Sequence, residues 1–210
     1  IIEKDNYIIT NDNYRKMLLI IYRIKANVPV ILMGETGCGK TALIKKLNQL
    51  LNNGEEILEI ININPGITDQ KLTKKMDEIN EKAKKTEGEY WVFFDELNTC
   101  NSLSLLCEIF INRTYNGEKI SENIRLIAAC NPYRRRAIEK EKCGLSQTNN
   151  DNELVYLVNI LPQSLMYYVF NFGSIDEIDE KKYIYSIIDK LFPNENEKEL
   201  HENTKDAIFE

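Results

Sequence analysis

The most informative segment of this sequence is Gly34-Glu35-Thr36-Gly37-Cys38-Gly39-Lys40-Thr41-Ala42. From Gly34 to Thr41 it fits the pattern GxxxxGK[ST], in which glycines let the main chain turn so that successive N–H groups point at phosphate oxygens. The apolar residues 28–33 come before it and predict a short buried strand, and the leucines and isoleucines after it recur at helical spacing. A turn of this kind between a strand and a helix therefore predicts an α/β fold with a phosphate-binding loop.

The side chains of this loop indicate the ligand and its counter-ion. The ammonium group of Lys40 is predicted to bridge the β- and γ-phosphates, and the Thr41 hydroxyl is predicted to be a ligand of Mg²⁺. Main-chain N–H groups along residues 34–42 are predicted to bind the phosphates. The expected cofactors are ATP or ADP and Mg²⁺, and the predicted nucleotide-binding residues are Gly34, Glu35, Thr36, Gly37, Cys38, Gly39, Lys40, Thr41 and Ala42.

Two carboxylates, Asp95 and Glu96, directly follow the apolar run at residues 90–94. Since open parallel sheets bind ligands at the carboxyl ends of their strands, Asp95 is predicted to hold Mg²⁺ and Glu96 to activate the water that attacks the γ-phosphate. Asn131 ends the next predicted strand and is predicted to orient the same water, with a turn residue before Pro132 as the alternative. The predicted catalytic residues are Glu96, Lys40 and Asn131, and the predicted metal ligands are Thr41 and Asp95.

The rest of the chain continues the alternation of strands and helices. It predicts a three-layer sandwich with a five-stranded parallel sheet, in which residues 154–160 are the fifth strand and the polar residues 134–152 are a loop or an irregular insertion. The first helix is predicted to be capped by Asn11-Asp12-Asn13, and a second long helix to be capped near Thr68. We expect a nucleotide-binding unit at residues 1–173, with a linker and helix at 1–27, and an incomplete helical lid at 174–210.

Composition excludes several classes of protein. The net charge of -6 offers no general basic surface for nucleic acid, and the longest apolar run, residues 17–22, is too short for a membrane span. Five cysteines without a CxxC pair and a single histidine do not fit a zinc finger. We therefore expect a reducing, cytoplasmic location, without binding to nucleic acid or a membrane span.

The motifs also narrow the class of nucleotide enzyme. The NKxD signal for guanine is absent, and Asp95-Glu96-Leu97-Asn98 lacks the glycine of the DxxG switch, which argues against a GTPase. A nucleoside kinase stays possible by motif, although such an enzyme does not need a second carboxylate to activate water.

Together these segments resemble the AAA+ ATPases, and in detail they are similar to AAA+ modules of the mysterin type, a family of giant dynein-like AAA+ ubiquitin ligases. The similarity covers roughly residues 28–191. Beyond the loop, it depends on the segments Phe93-Phe94-Asp95-Glu96-Leu97-Asn98-Thr99, Asn116-Gly117-Glu118, Ile127-Ala128-Ala129-Cys130-Asn131-Pro132-Tyr133-Arg134, Leu154-Val155-Tyr156, Leu161-Pro162-Gln163-Ser164-Leu165 and Asn171-Phe172-Gly173.

The resemblance implies an ATP-hydrolysing module of a larger mysterin-like ubiquitin ligase, with neighbouring AAA+ modules of the same polypeptide as partners and ubiquitin machinery as a further association. Two alternatives stay open. One is a structural AAA+ module that holds ATP without turnover, and the other is a fragment of a dynein- or midasin-like motor.

The arginines depart from the pattern of many AAA+ rings. No arginine lies in Leu165-Met166-Tyr167-Tyr168, near which such rings place a finger that reaches a neighbour's γ-phosphate. The candidates for this trans role are Arg134, Arg135 and Arg136, with a solvated basic loop as the alternative. We therefore expect slow hydrolysis by the isolated module.

Overall fold

A parallel sheet of five strands lies between two layers of helices. The computed structural model describes residues 7–52, 57–133, 158–173, 180–181 and 183–185. In chain order their main elements are α1 (Asn11–Lys25), β1 (Val30–Met33), α2 (Lys40–Leu51), β2 (Leu58–Asn62), α3 (Asp69–Lys85), β3 (Tyr90–Asp95), α4 (Leu103–Cys107), β4 (Thr114–Tyr115), β5 (Glu118–Lys119), β6 (Ile124–Cys130), α5 (Gln163–Met166) and β7 (Val169–Asn171). The sheet order is β2-β3-β6-β1-β7, with every neighbouring pair parallel, which confirms the predicted fold class.

The interior strand β3, which lies between β2 and β6, shows why the chain forms three layers. Trp91 and Phe93 belong to one apolar cluster, which also contains residues of α1 and α2, whereas Val92 and Phe94 belong to a second cluster with residues of α3 and α4. All four side chains are at most 2% exposed. Successive side chains of a strand point to opposite faces, so a continuously apolar strand needs helices on both sides.

The fifth strand was predicted at the wrong place. Residues 158–160 are not a strand, and residues 154–157 lie outside the described part of the chain. The fifth strand of the sheet is β7, in which Phe170 is aligned with Leu32 of β1. Helix α1 holds this strand in place, because the Arg23 guanidinium lies 4.0 Å from the centre of the Phe170 ring and donates a hydrogen bond to the Tyr168 carbonyl.

Two helices differ from their predictions in detail. Thr10, rather than Asn11-Asp12-Asn13, caps α1, and its hydroxyl accepts a hydrogen bond from the Asn13 N–H. Leu103, Leu106, Cys107 and Phe110 recur at helical spacing and predict one helix, but that segment is α-helical only in α4 and continues as a π-helix over Glu108–Asn112. The cap of α3 at Thr68 is as predicted.

Two predicted segments fall largely outside the described residues. They are the insertion at 134–152 and the lid at 174–210, of which residues 180–181 and 183–185 are described and are helical. The division of the chain at residue 173 therefore stays a prediction.

Candidate functional site

The glycine-rich loop runs from the end of β1 to the first turn of α2. Gly37 and Gly39 have φ angles of 82° and 91°, in the left-handed region that favours glycine. Gly39 is the residue that precedes α2, and no side chain among the described residues caps the helix there. The first N–H groups of α2 are therefore available to an anion, as a phosphate-binding helix requires.

Lys40 is 8% exposed and its ammonium group is turned back onto the loop. Its Nζ donates hydrogen bonds to the carbonyl oxygens of Gly34 at 2.7 Å and Glu35 at 2.8 Å. It also lies 3.4 Å from Oδ1 of Asn131. The Lys40 ammonium is thus held between the loop and the end of β6. The oxygens that contact it belong to two main-chain carbonyls and one side-chain amide, and all three are neutral.

The hydroxyl of Thr41 and the carboxylate of Asp95 meet across the site. Thr41 Oγ1 donates a hydrogen bond to Asp95 Oδ2 at 2.9 Å, and the second carboxylate oxygen accepts one from the Glu96 N–H at 3.0 Å. These two side chains are oxygen donors of the kind that Mg²⁺ prefers. The chain therefore brings the two predicted metal ligands into contact.

Glu96 has a φ angle of 56°, which is uncommon for a residue other than glycine. The main chain reverses there, at the exposed position directly after β3, and the following 3₁₀ turn Leu97–Thr99 begins. Two hydrogen bonds fix this turn, from the N–H and the hydroxyl of Thr99 to the Glu96 carbonyl, each 3.0 Å long. Backbone strain of this kind concentrates at functional sites.

These groups surround one cavity of about 320 Å³. It is lined by Thr36, Gly37, Gly39, Lys40, Thr41, Ala42, Asp95, Glu96, Ala129, Cys130 and Asn131. Of the predicted site residues, Gly34, Glu35 and Cys38 do not line it. The predicted trans residues Arg134, Arg135 and Arg136 lie outside the described part of the chain.

Cys130 forms part of the cavity wall and is 1% exposed. Burial raises the pKa of its thiol to about 12, although the nearby Lys40 cation acts in the opposite direction. The thiol is thus a neutral, small component of the wall at physiological pH.

A second cavity, of about 110 Å³, was not predicted from the sequence. It shares Gly37, Gly39 and Ala42 with the first, and its other walls come from Cys38 of the loop, from residues 7–13 and from Tyr183 of the predicted lid. Burial, together with Tyr183 and Asp12, raises the pKa of Tyr7 to about 12. No sequence pattern marks these residues, because they are brought together only by the fold.

Asn98, which follows the acidic pair, was not predicted to belong to the site. It is 1% exposed and binds the main chain of both Asn131 and Asn159. The sequence signals that mark it are its place three residues after Asp95 and its presence in the segment 93–99 that carries the family resemblance.

Among the described residues, no helix is both long and apolar enough to cross a membrane. Nor do they contain a group of three or more His, Cys, Asp or Glu side chains that is able to hold a metal ion.

Comparison with known proteins identifies similar sequences. A family model described as the RNF213 AAA domain matches residues 7–134, which include the glycine-rich loop, the acidic pair and Asn131. The chain is 36% identical over 211 residues to the E3 ubiquitin-protein ligase RNF213 of Mus musculus. It is 35% identical over 208 residues to rnf213-beta of Danio rerio, and 34% identical over 209 residues to RNF213 of Homo sapiens. These alignments cover 88 to 89% of this chain and 4% of each relative, so the chain spans a small part of their length.

Proposed function

Since the chain belongs to the RNF213 AAA domain family, the mysterin-type AAA+ modules, we propose that it binds ATP with Mg²⁺ and hydrolyses it as one module of a longer ubiquitin ligase. The observation that carries the proposal is the contact between Thr41 and Asp95, 2.9 Å long, in a cavity that Lys40, Glu96 and Asn131 also line. A phosphate-binding helix, a metal-ligand pair and a carboxylate in one cavity are the parts that ATP hydrolysis needs.

The two connected cavities suggest how the nucleotide lies. The phosphates would occupy the larger cavity, where the N–H groups of α2 and the Lys40 ammonium favour negative charge. The base and ribose would extend past Gly37 and Gly39 into the smaller cavity, toward Tyr7 and Tyr183. Tyr183 belongs to the predicted lid, so nucleotide binding would join the lid to the core.

The residues present suit Mg²⁺. Thr41 and Asp95 would hold the ion together with phosphate oxygens and water. When bound, the ion neutralises phosphate charge.

Lys40, Glu96 and Asn131 would each perform a different part of ATP hydrolysis. Lys40 exchanges its bonds to the Gly34 and Glu35 carbonyls for phosphate oxygens, because an ionised acceptor is stronger than a neutral one. Glu96 accepts the proton of the attacking water, and the Asn131 amide orients that water beside the γ-phosphate. Both side chains line the same cavity as Lys40.

One observation favours the alternative of an ATP-holding module with little turnover. Lys40 is the only cation among the described residues that line the phosphate cavity, and the transition state for phosphoryl transfer is stabilised by a further cation. We propose that a neighbouring module supplies it and that hydrolysis is slow without that neighbour. Arg134, Arg135 and Arg136 stay the candidates for the same role toward the next module.

Only the relatives support ubiquitin ligase activity for the longer protein. Their names describe E3 ubiquitin-protein ligases, and the family match favours a mysterin-type parent over a dynein- or midasin-like motor. In this proposal the module contributes ATP-driven movement to such a ligase, and the cytoplasmic location stays a prediction.

Calorimetric titration with ATP in the presence of Mg²⁺ tests the proposal. The Lys40→Ala variant is expected to bind ATP at least about tenfold more weakly, because the phosphates lose their only cation from the loop. Lys74→Ala is the matched control, since Lys74 is an exposed lysine of α3 and α3 contributes no residue to the cavity. Equal affinity in the two variants would contradict the assignment of the loop.

A further inference from the structure

Asn98 is a buried amide that no step of the proposed chemistry uses. It lies in the turn Leu97–Thr99, directly behind the acidic pair, and it is 1% exposed. Burying an amide is unfavourable unless its hydrogen bonds are satisfied, so the partners of a buried asparagine indicate what it holds in place.

The first partner is the main chain of Asn131. Asn98 Nδ2 donates a hydrogen bond to the Asn131 carbonyl at 2.9 Å, and Asn98 Oδ1 accepts one from the Asn131 N–H at 3.3 Å. One side chain thus satisfies both main-chain groups of Asn131. It acts in the way that a neighbouring strand would.

Asn131 needs this support because the sheet ends beside it. The last aligned pair of β6 with β1 is Cys130 with Met33, and the Cys130 carbonyl accepts its hydrogen bond from Gly34. Pro132 follows, and a proline restricts the preceding residue to extended conformations without adding a hydrogen bond. Among the described residues, Asn98 supplies the hydrogen bonds to both main-chain groups of Asn131.

The second partner is the segment that leads to β7. Asn98 Nδ2 also lies 3.3 Å from the Asn159 carbonyl, and the Asn159 N–H donates to the Asn98 carbonyl at 2.7 Å. The Asn159 side chain donates to the Cys100 carbonyl at 2.8 Å. The turn after the acidic pair, the end of β6 and the segment before β7 therefore form one hydrogen-bonded unit.

We propose that Asn98 is a positioning residue that directs the Asn131 side chain at the γ-phosphate, and so sets how well the module distinguishes ATP from ADP. This inference rests on the proposed function. Asn98 touches no nucleotide in it. Its effect passes through Asn131, whose amide oxygen lies 3.4 Å from the Lys40 ammonium that would hold the same phosphate. In this inference the Asn131 amide nitrogen donates a hydrogen bond to the γ-phosphate beside the water that the side chain orients.

The test measures the dissociation constants of ATP and ADP, with Mg²⁺, in a Glu96→Gln background that keeps ATP intact. Asn131→Ala is expected to reduce the preference for ATP about tenfold, the loss of one hydrogen bond to a charged group. Asn98→Ala is expected to give most of that reduction with little change in ADP affinity. The double variant is expected to match Asn131→Ala alone, since the two changes act on one contact.

Asn80→Ala is the matched control for the loss of a buried amide. Asn80 is 5% exposed and its side chain joins α3 to the β4–β5 hairpin and to Ser121, away from the nucleotide cavity. It is expected to lower the melting temperature while the ATP preference stays unchanged.

The outcomes separate this inference from the proposed function. If the Glu96→Gln parent binds neither nucleotide, the proposed function is wrong and the inference falls with it. If the parent prefers ATP but Asn98→Ala keeps that preference, or weakens ATP and ADP equally, the positioning role is wrong and the proposed function stands. Additive effects in the double variant would also overturn the inference.

Discussion

The candidate site has two halves, and different groups hold each of them in place. The loop half is the glycine-rich loop with Lys40, and the acidic half is the acidic pair with Asn98 and Asn131. In the loop half, the chain's own carbonyl oxygens from Gly34 and Glu35 hold the Lys40 ammonium in place. In the acidic half, the side chains of Asp95 and Asn98 are bonded to the main chain of the residues they position, namely Glu96 and Asn131. In the proposed function, phosphate oxygens replace the first set of bonds, and the second set can stay intact.

Because of this difference, the loop half should mainly govern the affinity for nucleotide, and the acidic half should mainly govern hydrolysis. The loop half exchanges one set of partners for another, so its contribution depends on how strongly phosphate replaces the carbonyls. The acidic half is organised before the ligand arrives, and preorganised groups need no reorganisation during the reaction. Variants in the loop half should therefore change the affinity for ATP and ADP alike, and variants in the acidic half should change turnover, metal dependence or the preference for ATP over ADP.

The largest expected effect comes from a substitution in the acidic half. Glu96→Gln should lower hydrolysis on the order of 10² to 10⁴-fold while Mg²⁺-ATP binding is retained, because the variant loses the proton acceptor but no phosphate contact. Asp95→Asn, one residue away, should instead weaken binding mainly when Mg²⁺ is present, since it removes a charged metal ligand. Single-turnover hydrolysis and titrations with and without Mg²⁺ measure both, and similar behaviour of the two variants would refute this division of roles.

A change of intermediate size tests how tightly the loop half is packed. A Cβ added to Gly34 would lie 3.0 Å from both Cys38 Sγ and Phe172 Cβ. Gly34→Ala should therefore lower the free energy of unfolding by about 1–3 kcal/mol, as other overpacked sites do. Gly66→Ala is the matched control, because its added Cβ would approach only Asn64 Oδ1, at 3.4 Å. Denaturant unfolding that gives the same loss for both variants would show that the loop tolerates the extra methyl group.

The smallest expected effect is a pH dependence of stability that comes from Cys130 of β6. Burial raises the pKa of the Cys130 thiol from 9.0 to about 12, so above pH 9 the unfolded chain releases this proton while the folded chain keeps it. Stability should therefore fall as the pH rises from about 9 toward 12. Between pH 8 and pH 10, wild type should lose about 1.4 kcal/mol more than Cys130→Ala in denaturant unfolding. Equal losses would mean that the thiol ionises alike in both states.

The sequence predicted those parts of the site that are local in the chain. Glycines at fixed spacing, Lys40 and Thr41 belong to one turn, and Asp95 and Glu96 directly follow a strongly apolar strand. A pattern of this kind specifies main-chain geometry without reference to the rest of the fold. The family resemblance was confirmed on the same residues.

What the sequence could not predict depends on contacts between distant segments. Asn98 and Asn159 are 61 residues apart, and nothing in either neighbourhood indicates that they meet. The fifth strand was misplaced for a related reason, because the apolar runs at residues 154–158 and 165–170 are alike in composition, and only the second contains residues of β7. Residues of β7 form the fifth strand because they pair with β1 and contact α1. These are tertiary contacts, which the local sequence does not show.

The position of β3 has a consequence for motion. Its side chains are buried in both apolar clusters and it has a strand on either side, so its amide protons should be among the slowest to exchange with solvent. The edge strands β2 and β7 each have one strand neighbour, and their amides should exchange sooner. The floor of the nucleotide cavity would then stay folded through the local openings that let a nucleotide enter and leave, and each opening would involve the loops and the sheet edges.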